Sequence, residues 1–202
     1  MNNRITGILL AAGESRRMGY PKPLLKIGSQ TFIAHTAEAM LTVMEAVVVV
    51  LGAHAQSVRA AIPNDPRLTI VENPHYKRGQ LSSLKVGLAT VPAEVDAVVV
   101  HLIDHPTVIA ETFRGVIDEY ARTRKPIVIA RCRGRRGHPV LFDRSIFAEL
   151  MAAPEDEGAR TVVNADPARV LYLDVADAGV VLDLDTPDDV ARAGLPPPPS
   201  NF

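Results

Sequence analysis

Leu10-Ala11-Ala12-Gly13-Glu14-Ser15-Arg16-Arg17-Met18-Gly19-Tyr20-Pro21-Lys22 is the stretch on which the reading of this chain turns. It follows an apolar run over 5–10 with the length and composition of a buried strand. In an open α/β sheet, ligands bind beyond the carboxyl ends of the strands, where this loop falls. Ala11, Ala12 and Gly13 are small enough to let a ligand approach the backbone. Arg16, Arg17 and Lys22 bring the positive charge that a polyphosphate requires. A Walker A loop needs Gly-Lys-Ser/Thr at its end, but Gly19 is followed by Tyr20. A dinucleotide fingerprint needs a second glycine two residues on, and Gly13 is followed by Glu14 and Ser15. The stretch therefore predicts a phosphate loop of another kind.

Working outward, further β-branched runs lie at 46–51, 68–71, 97–102 and 127–130. Several are apolar at every position, as strands covered on both faces are. Helical spacing fills the intervals at 32–41, 56–62, 83–90 and 109–122. The alternation predicts an α/β fold of βαβ units with a mainly parallel sheet. After residue 130 the rhythm changes. A basic, glycine-containing turn over 131–137 leads to a short strand at 139–142, a short antiparallel excursion. Helices are expected near 145–151 and 159–164, and strands at 170–173 and 180–182. A last helix opens near Asp185, with Thr186 as N-cap and Pro187 at its first position. One domain is expected over 1–192, and a proline-rich, disordered tail over 193–202.

The 202 residues suffice for a core without staples. The formal net charge of −1 argues against a nucleic-acid polymer as partner. It sums opposed patches: residues 122–136 hold seven positive side chains and no acid, and residues 155–192 hold ten acids against three arginines. Aromatic residues are 4% with no Trp, so base stacking on aromatic platforms is not expected. The single cysteine, Cys132, allows no intrachain disulfide. The sequence shows no signal-peptide pattern and no apolar run of membrane-spanning length, so a cytoplasmic protein without membrane contact is expected.

Four further stretches carry chemistry. In Gly79-Gln80-Leu81-Ser82-Ser83-Leu84, either serine can cap the following helix and leave amides free for a ligand. In His101-Leu102-Ile103-Asp104-His105-Pro106, Asp104 ends a buried strand, where a carboxylate can hold Mg²⁺ or cap the next helix. His101, Asp104 and His105 also raise the question of zinc, but the two-histidine spacing of zincins needs a helix and this segment reads as strand and turn. In Leu182-Asp183-Leu184-Asp185-Thr186-Pro187-Asp188-Asp189, strand alternation puts Asp183 and Asp185 on one side. Two carboxylates there are useful beside a cation and repel without one. Asp188 and Asp189 suit a helix N-terminus. Lastly, the basic stretch from Arg131 to His138 suits an anion.

Together these stretches resemble the signature of nucleotidyltransferases of the MobA type. Such enzymes transfer a nucleoside monophosphate from an NTP to a phosphorylated or carboxylated acceptor and release pyrophosphate. The resemblance implies a three-layer, Rossmann-like nucleotidyltransferase fold. It places Leu10, Ala11, Ala12, Gly13, Arg17, Lys22, Gly79, Ser82 and Ser83 around the nucleotide. It gives catalytic roles to Arg17, Lys22 and Asp104, and sets Mg²⁺ on Asp104 and Asp183, with Asp185 as the second choice. His105 departs from the Gln or Met usual in the family's Asp-x-Pro. Gly137-His138-Pro139-Val140-Leu141-Phe142 and Glu157-Gly158-Ala159-Arg160 resemble the molybdenum cofactor cytidylyltransferase branch. That implies Gly137, His138 and Arg160 on a molybdopterin-type acceptor, and a molybdoenzyme as recipient of the product. Leu-Ala-Ala-Gly rather than Leu-Ala-Gly-Gly at the loop looks like the CTP users. Guanylyl transfer, a sugar-phosphate acceptor, and a non-catalytic molybdenum cofactor carrier or insertion protein remain as alternatives.

Overall fold

The computed structural model describes residues 4–199. Its elements in chain order are β1 (Ile5–Ala11), β2 (Lys26–Ile27), β3 (Gln30–Thr31), α1 (Phe32–Leu41), β4 (Ala46–Leu51), α2 (Ala55–Arg59), β5 (Leu68–Glu72), α3 (Gln80–Thr90) and β6 (Ala97–Leu102). Then follow α4 (Ala110–Thr123), β7 (Ile127–Cys132), β8 (Arg135–Asp143), α5 (Phe147–Ala152), α6 (Arg160–Ala165), β9 (Val170–Asp174) and α7 (Pro187–Arg192). The main sheet has the order β5-β4-β1-β6-β8-β7-β9, and β2 pairs with β3 in a small antiparallel ribbon. β8 alone runs antiparallel to its neighbours, with Val100 opposite Val140 and Ala97 opposite Asp143. The architecture is α/β, mainly parallel, with the antiparallel excursion the sequence predicts.

Period-two alternation sorts the strands' side chains into two cores. Leu9, Val49 and Val99 face α1 and α4, among Phe32, Met40, Phe113 and Val116. Ile8, Val50, Val98 and Val140 face α3, α5 and α6, among Leu84, Leu88, Leu150 and Val162. Both faces of the central strands are therefore dry, which is why their sequences are apolar throughout.

Three details differ from the sequence reading. The basic stretch is strand rather than turn: Arg133 and Gly134, at φ 49° and 75°, form the turn, and Arg135 opens β8 opposite Cys132. Two successive residues at positive φ are what a tight hairpin needs to match strand twist. Residues 180–182 are not a strand. Ala178–Val181 form a single 3₁₀ turn, capped by the Asp177 carboxylate, which accepts from the Gly179 N–H. A Cβ on Gly179 would stand 2.8 Å from the Thr107 backbone, so the turn is pressed against that loop. Finally, ordered packing continues past 192: Ala193 and Leu195 lie against the core and the Leu195 N–H donates to the Val190 carbonyl. Of the expected tail, 200–202 lie outside the described residues.

Candidate active site

The glycine loop leaves β1 at the carboxyl edge of the sheet and borders a cavity of about 300 Å³. Leu10, Ala11, Ala12, Gly13, Arg17 and Lys22 all line it. Ser15, which the sequence reading passed over, holds the loop together at φ 54°. Its carbonyl accepts from the Met18 and Gly19 N–H groups at 3.0 and 3.2 Å, and its Oγ accepts from the Lys22 N–H at 3.0 Å. Gly13 has no protein atom within 4 Å of where a Cβ would stand and does not adopt a positive φ. Neither packing nor backbone conformation calls for glycine there, and the open space beside it would let a ligand approach the backbone closely. Gly52, also unread in the sequence, lets β4's end meet the loop. A Cβ on it would stand 2.7 Å from the Ala12 carbonyl, which accepts from the Ala53 N–H.

Across the cavity, α3 begins at Gln80, earlier than the sequence suggests, with Gly79 before it at φ 110°. Ser82 and Ser83 therefore sit inside the first turn and neither caps the helix. Both are buried, and Asn73 donates its Nδ2–H groups to the two hydroxyl oxygens at 2.9 and 3.0 Å. Gly79 and Ser83 line the cavity. Ser82 does not; its hydroxyl donates to the Gly79 carbonyl at 2.7 Å, a bond that shapes the turn. Ser82→Ala is accordingly expected to cost about 1–2 kcal/mol of stability with nucleotide affinity nearly unchanged. Ser83→Ala should weaken nucleotide binding more than it lowers the melting temperature. Paired calorimetric titration and thermal melts check this, and equal effects on both readouts in both variants would contradict it.

Three carboxylates meet beside the loop. Asp104 follows β6, and Asp183 and Asp185 flank Leu184. Leu184 is fully buried, and its N–H donates to the Asp104 carbonyl at 3.0 Å, so one backbone bond ties the two segments. One oxygen from each carboxylate lies within 4.8 Å of the others. Burial, then the charges of Asp104 and Asp185, push the Asp183 carboxyl up. Burial would raise Asp185 too, but the Lys22 hydrogen bond and the charges of Lys22 and Arg17 outweigh it and hold that carboxyl low. Lys22 Nζ lies 2.5 Å from Asp185 Oδ1 and 3.6 Å from Asp104 Oδ2, and Arg17 lies 2.5 Å from Asp185 Oδ2. Surplus negative charge on hard oxygen donors fits a divalent cation such as Mg²⁺ or Mn²⁺. Asp104 caps no helix; the N-terminus of α4 is met by Asp177, which accepts from the Ile109 N–H at 3.1 Å. Asp189 closes a capping box with Thr186, whose hydrogen bonds draw its carboxyl down to about 2.

A second cavity, of about 490 Å³, opens beside the first. Gly137, His138 and Arg160 line it, with Arg135, Arg136 and Asp183. The two cavities share Leu10, Gln80 and Leu102 as walls, with Asp104 on the first and Asp183 on the second. Gln80 is thus a site residue that the sequence reading missed, because nothing in its neighbours marks it.

Three imidazoles cluster at this cavity, His105 and His138 in its wall with ring centres 5.6 Å apart and His101 behind them. The fully buried His101 Nε2 faces the His105 carbonyl at 3.0 Å, and a carbonyl only accepts, so that nitrogen carries the proton. Burial, then the neighbouring His105, hold His138 down at about 4, and burial holds His101 well below its ordinary value. Both are neutral at pH 7. A buried histidine whose folded pKa lies below its unfolded 6.5 favours the unfolded state as protons are added. For His138, stability is therefore full above pH 6.5 and falls from there toward pH 4, by about 1.4 kcal/mol per pH unit, and the buried His101 acts in the same direction. His138→Asn should flatten that slope relative to the parent in urea melts between pH 7 and 4.5; parallel curves would refute the assignment.

Comparison with known proteins bears on this geometry. The model of the MobA-like NTP transferase domain matches residues 7–170. The chain is 31% identical to nicotine blue oxidoreductase of Paenarthrobacter nicotinovorans, over 93% of this chain and 95% of that protein. It is 27% identical to the molybdenum cofactor cytidylyltransferase of Escherichia coli K12, over 92% and 93%. Among solved structures, Rv0371c of Mycobacterium tuberculosis H37Rv superposes with a TM-score of 0.82 at 35% identity, covering 95% of this chain and 97% of that one. The structure of Rv0371c in complex with manganese superposes with a TM-score of 0.78 at 34% identity, covering 95% and 98%. The matched span holds the glycine loop, the α3 turn, Asp104 and the β7–β8 hairpin, and on that match the chain belongs to the MobA-like NTP transferase family of nucleotidyltransferases.

Proposed function

We propose that the chain transfers CMP from CTP to a molybdopterin-type acceptor, with Mg²⁺ as its cation. One observation carries this reading: two cavities of suitable size abut at a shared wall, and the acid cluster spans that wall. A reaction joining two ligands needs both reacting atoms at such a boundary. The acceptor's phosphate oxygen attacks the α-phosphorus; a new P–O bond forms, the bond to the β-phosphate oxygen breaks, and pyrophosphate leaves. The acceptor is already anionic, so positioning and charge neutralisation suffice without a strong base. Arg17 and Lys22 meet the negative charge that builds on the leaving pyrophosphate. Asp104 and Asp183 would hold the divalent ion, with Asp185 in reach as a further ligand, and the ion would supply Lewis-acid stabilisation of the phosphates. Arg135, Arg136 and Arg160 receive the acceptor's phosphate, and Gly137 and His138 border its ring system. CTP as the donor is supported by the loop itself, whose Leu10-Ala11-Ala12-Gly13 resembles that of the CTP users.

A second reading rests on the relative named an oxidoreductase: a hydride donor in one cavity and an oxidised heterocycle in the other. Both are tested together. Thermal shifts with CTP, GTP, ATP, UTP and reduced nicotinamide dinucleotides, each with Mg²⁺, identify the first ligand. Pyrophosphate assays with molybdopterin and with sugar phosphates then identify the acceptor. Stabilisation by CTP and pyrophosphate release with molybdopterin are expected. Stabilisation by a nicotinamide dinucleotide without pyrophosphate release supports the redox reading, and stabilisation by no NTP at all supports a carrier.

A further inference from the structure

The acid cluster already contains a cation, and it is a side chain. Lys22 Nζ stands 2.5 Å from Asp185 Oδ1 and 3.6 Å from Asp104 Oδ2. Both residues belong to the trio whose oxygens lie within 4.8 Å of one another. A divalent ion takes such oxygens at about 2.0–2.6 Å. It cannot share them with an ammonium without strong repulsion between like charges. The lysine is also held in place. Its side chain is only 10% exposed, and its backbone N–H is fixed to Ser15 Oγ at 3.0 Å. Arg17 occupies the other Asp185 oxygen at 2.5 Å, from a side chain that is 71% exposed. Asp185 is thus saturated by two cations, and Asp183 receives neither of these hydrogen bonds.

We infer that Lys22 is the resident counter-ion of the acid cluster and suppresses metal binding until a polyphosphate draws Lys22 and Arg17 away from Asp185. Asp185 then serves as the holding partner of these two side chains in the ligand-free chain. Its oxygens become available to the metal when the nucleotide takes them over. Metal and nucleotide binding are coupled positively through this exchange of partners, and linkage makes the coupling reciprocal. The inference rests on the proposed occupancy of the first cavity by a nucleoside triphosphate. The competition between Lys22 and metal does not depend on what the acceptor is.

The consequence has an unusual sign: removing a phosphate-binding lysine should tighten metal binding. Mn²⁺ titrations of the full chain without nucleotide, followed by the electron paramagnetic resonance of free Mn²⁺, test it. Lys22→Met is expected to bind Mn²⁺ at least about tenfold more tightly than the parent. Lys22→Arg keeps the charge and should stay within about twofold of the parent. Arg17→Met, at an exposed position that does not threaten folding, should tighten binding by a smaller factor. Equal or weaker Mn²⁺ binding by both Lys22→Met and Arg17→Met overturns the inference. The titrations are repeated with saturating CTP in parent and variant alike, so that metal held by free CTP cancels. The advantage of Lys22→Met should then vanish; if it persists, the coupling is overturned. A chain that shows no thermal shift with CTP fails the proposed function instead, and the nucleotide-free titrations still decide the competition.

Discussion

Asp104→Asn should lower pyrophosphate release by about three orders of magnitude while the chain melts within about 2 °C of the parent. The two halves of the expectation have separate causes. Asp104 follows β6 with its side chain 30% exposed, and the fold uses its backbone carbonyl, which accepts from Leu184, rather than its carboxylate. Asparagine keeps the shape and that carbonyl, so the two segments stay tied. The carboxylate's charge is what the reaction needs. It lines the first cavity, two residues on from Leu102 in the wall shared with the second, and is one of three whose oxygens lie within 4.8 Å of one another and could hold a cation. Removing one preorganised electrostatic group from a site of this kind costs about 10²–10³ in kcat, and losing metal affinity adds to it. Steady-state release assays at saturating Mg²⁺ measure the effect. A variant that keeps more than a tenth of the parent's rate would remove Asp104 from the mechanism.

Gly137→Ala should be the most damaging single methyl group in the chain. A Cβ there would stand 1.8 Å from the Val180 carbonyl oxygen and 2.7 Å from its carbon. Those are backbone atoms of a fully buried residue in a turn capped by Asp177, so no flexible side chain can yield. Either β8 or the turn must move, and forced shifts of a packed core cost about 3 kcal/mol. For a chain of this size that corresponds to a fall of about 6–12 °C in Tm. The shift would carry His138 and Arg136 with it and deform the second cavity. None of the first cavity's walls lies on this hairpin. Nucleotide-induced stabilisation should therefore survive in the fraction that folds, while acceptor-dependent turnover is lost. An unchanged melting temperature would show that the close approach is relieved at no cost.

The elements most legible in the sequence are those whose cause is local. Buried strands such as Ala46–Leu51 and Ala97–Leu102 show themselves because both faces are covered. Apolar runs of that length suit a doubly covered strand and are too short for a buried helix. The glycine loop is legible for a related reason: its small residues and its cations are contiguous. The Asp183-Leu184-Asp185 spacing brings two carboxylates to one place even though the segment is not a strand. Leu184, buried between them and tied by its N–H to the Asp104 carbonyl, keeps both carboxylates at the cluster. What stayed hidden depends on distant partners. Ser82 reads as a cap and is a buried support, because Asn73 reaches it from nine residues away. The apolar residues 180–182 read as a strand, but the preceding Gly179 is pressed against the loop at Thr107 and turns the chain first. Gly52 and Gln80 carry no neighbouring signal, and only the tertiary fold places them at the site. The occupation of the acid cluster by Lys22 joins positions 22, 104 and 185, a relation that spacing cannot encode.

The reversed direction of β8 has a consequence of another kind. A seventh parallel strand in its place would enter from the far edge of the sheet and leave toward a crossover helix. Both connections would then be shared with the rest of the scaffold. The reversed strand instead makes a hairpin with β7 whose tip, at Arg133 and Gly134, overhangs the carboxyl edge. Its feet stand at the opposite edge. The part that borders the second cavity is thus a cassette, attached at two points remote from the phosphate loop. On the proposed function, exchanging its tip would alter what is modified without disturbing how the nucleotide is held. Acceptor preference could then be retuned by substitutions at the hairpin tip alone, with the phosphate loop left as it is.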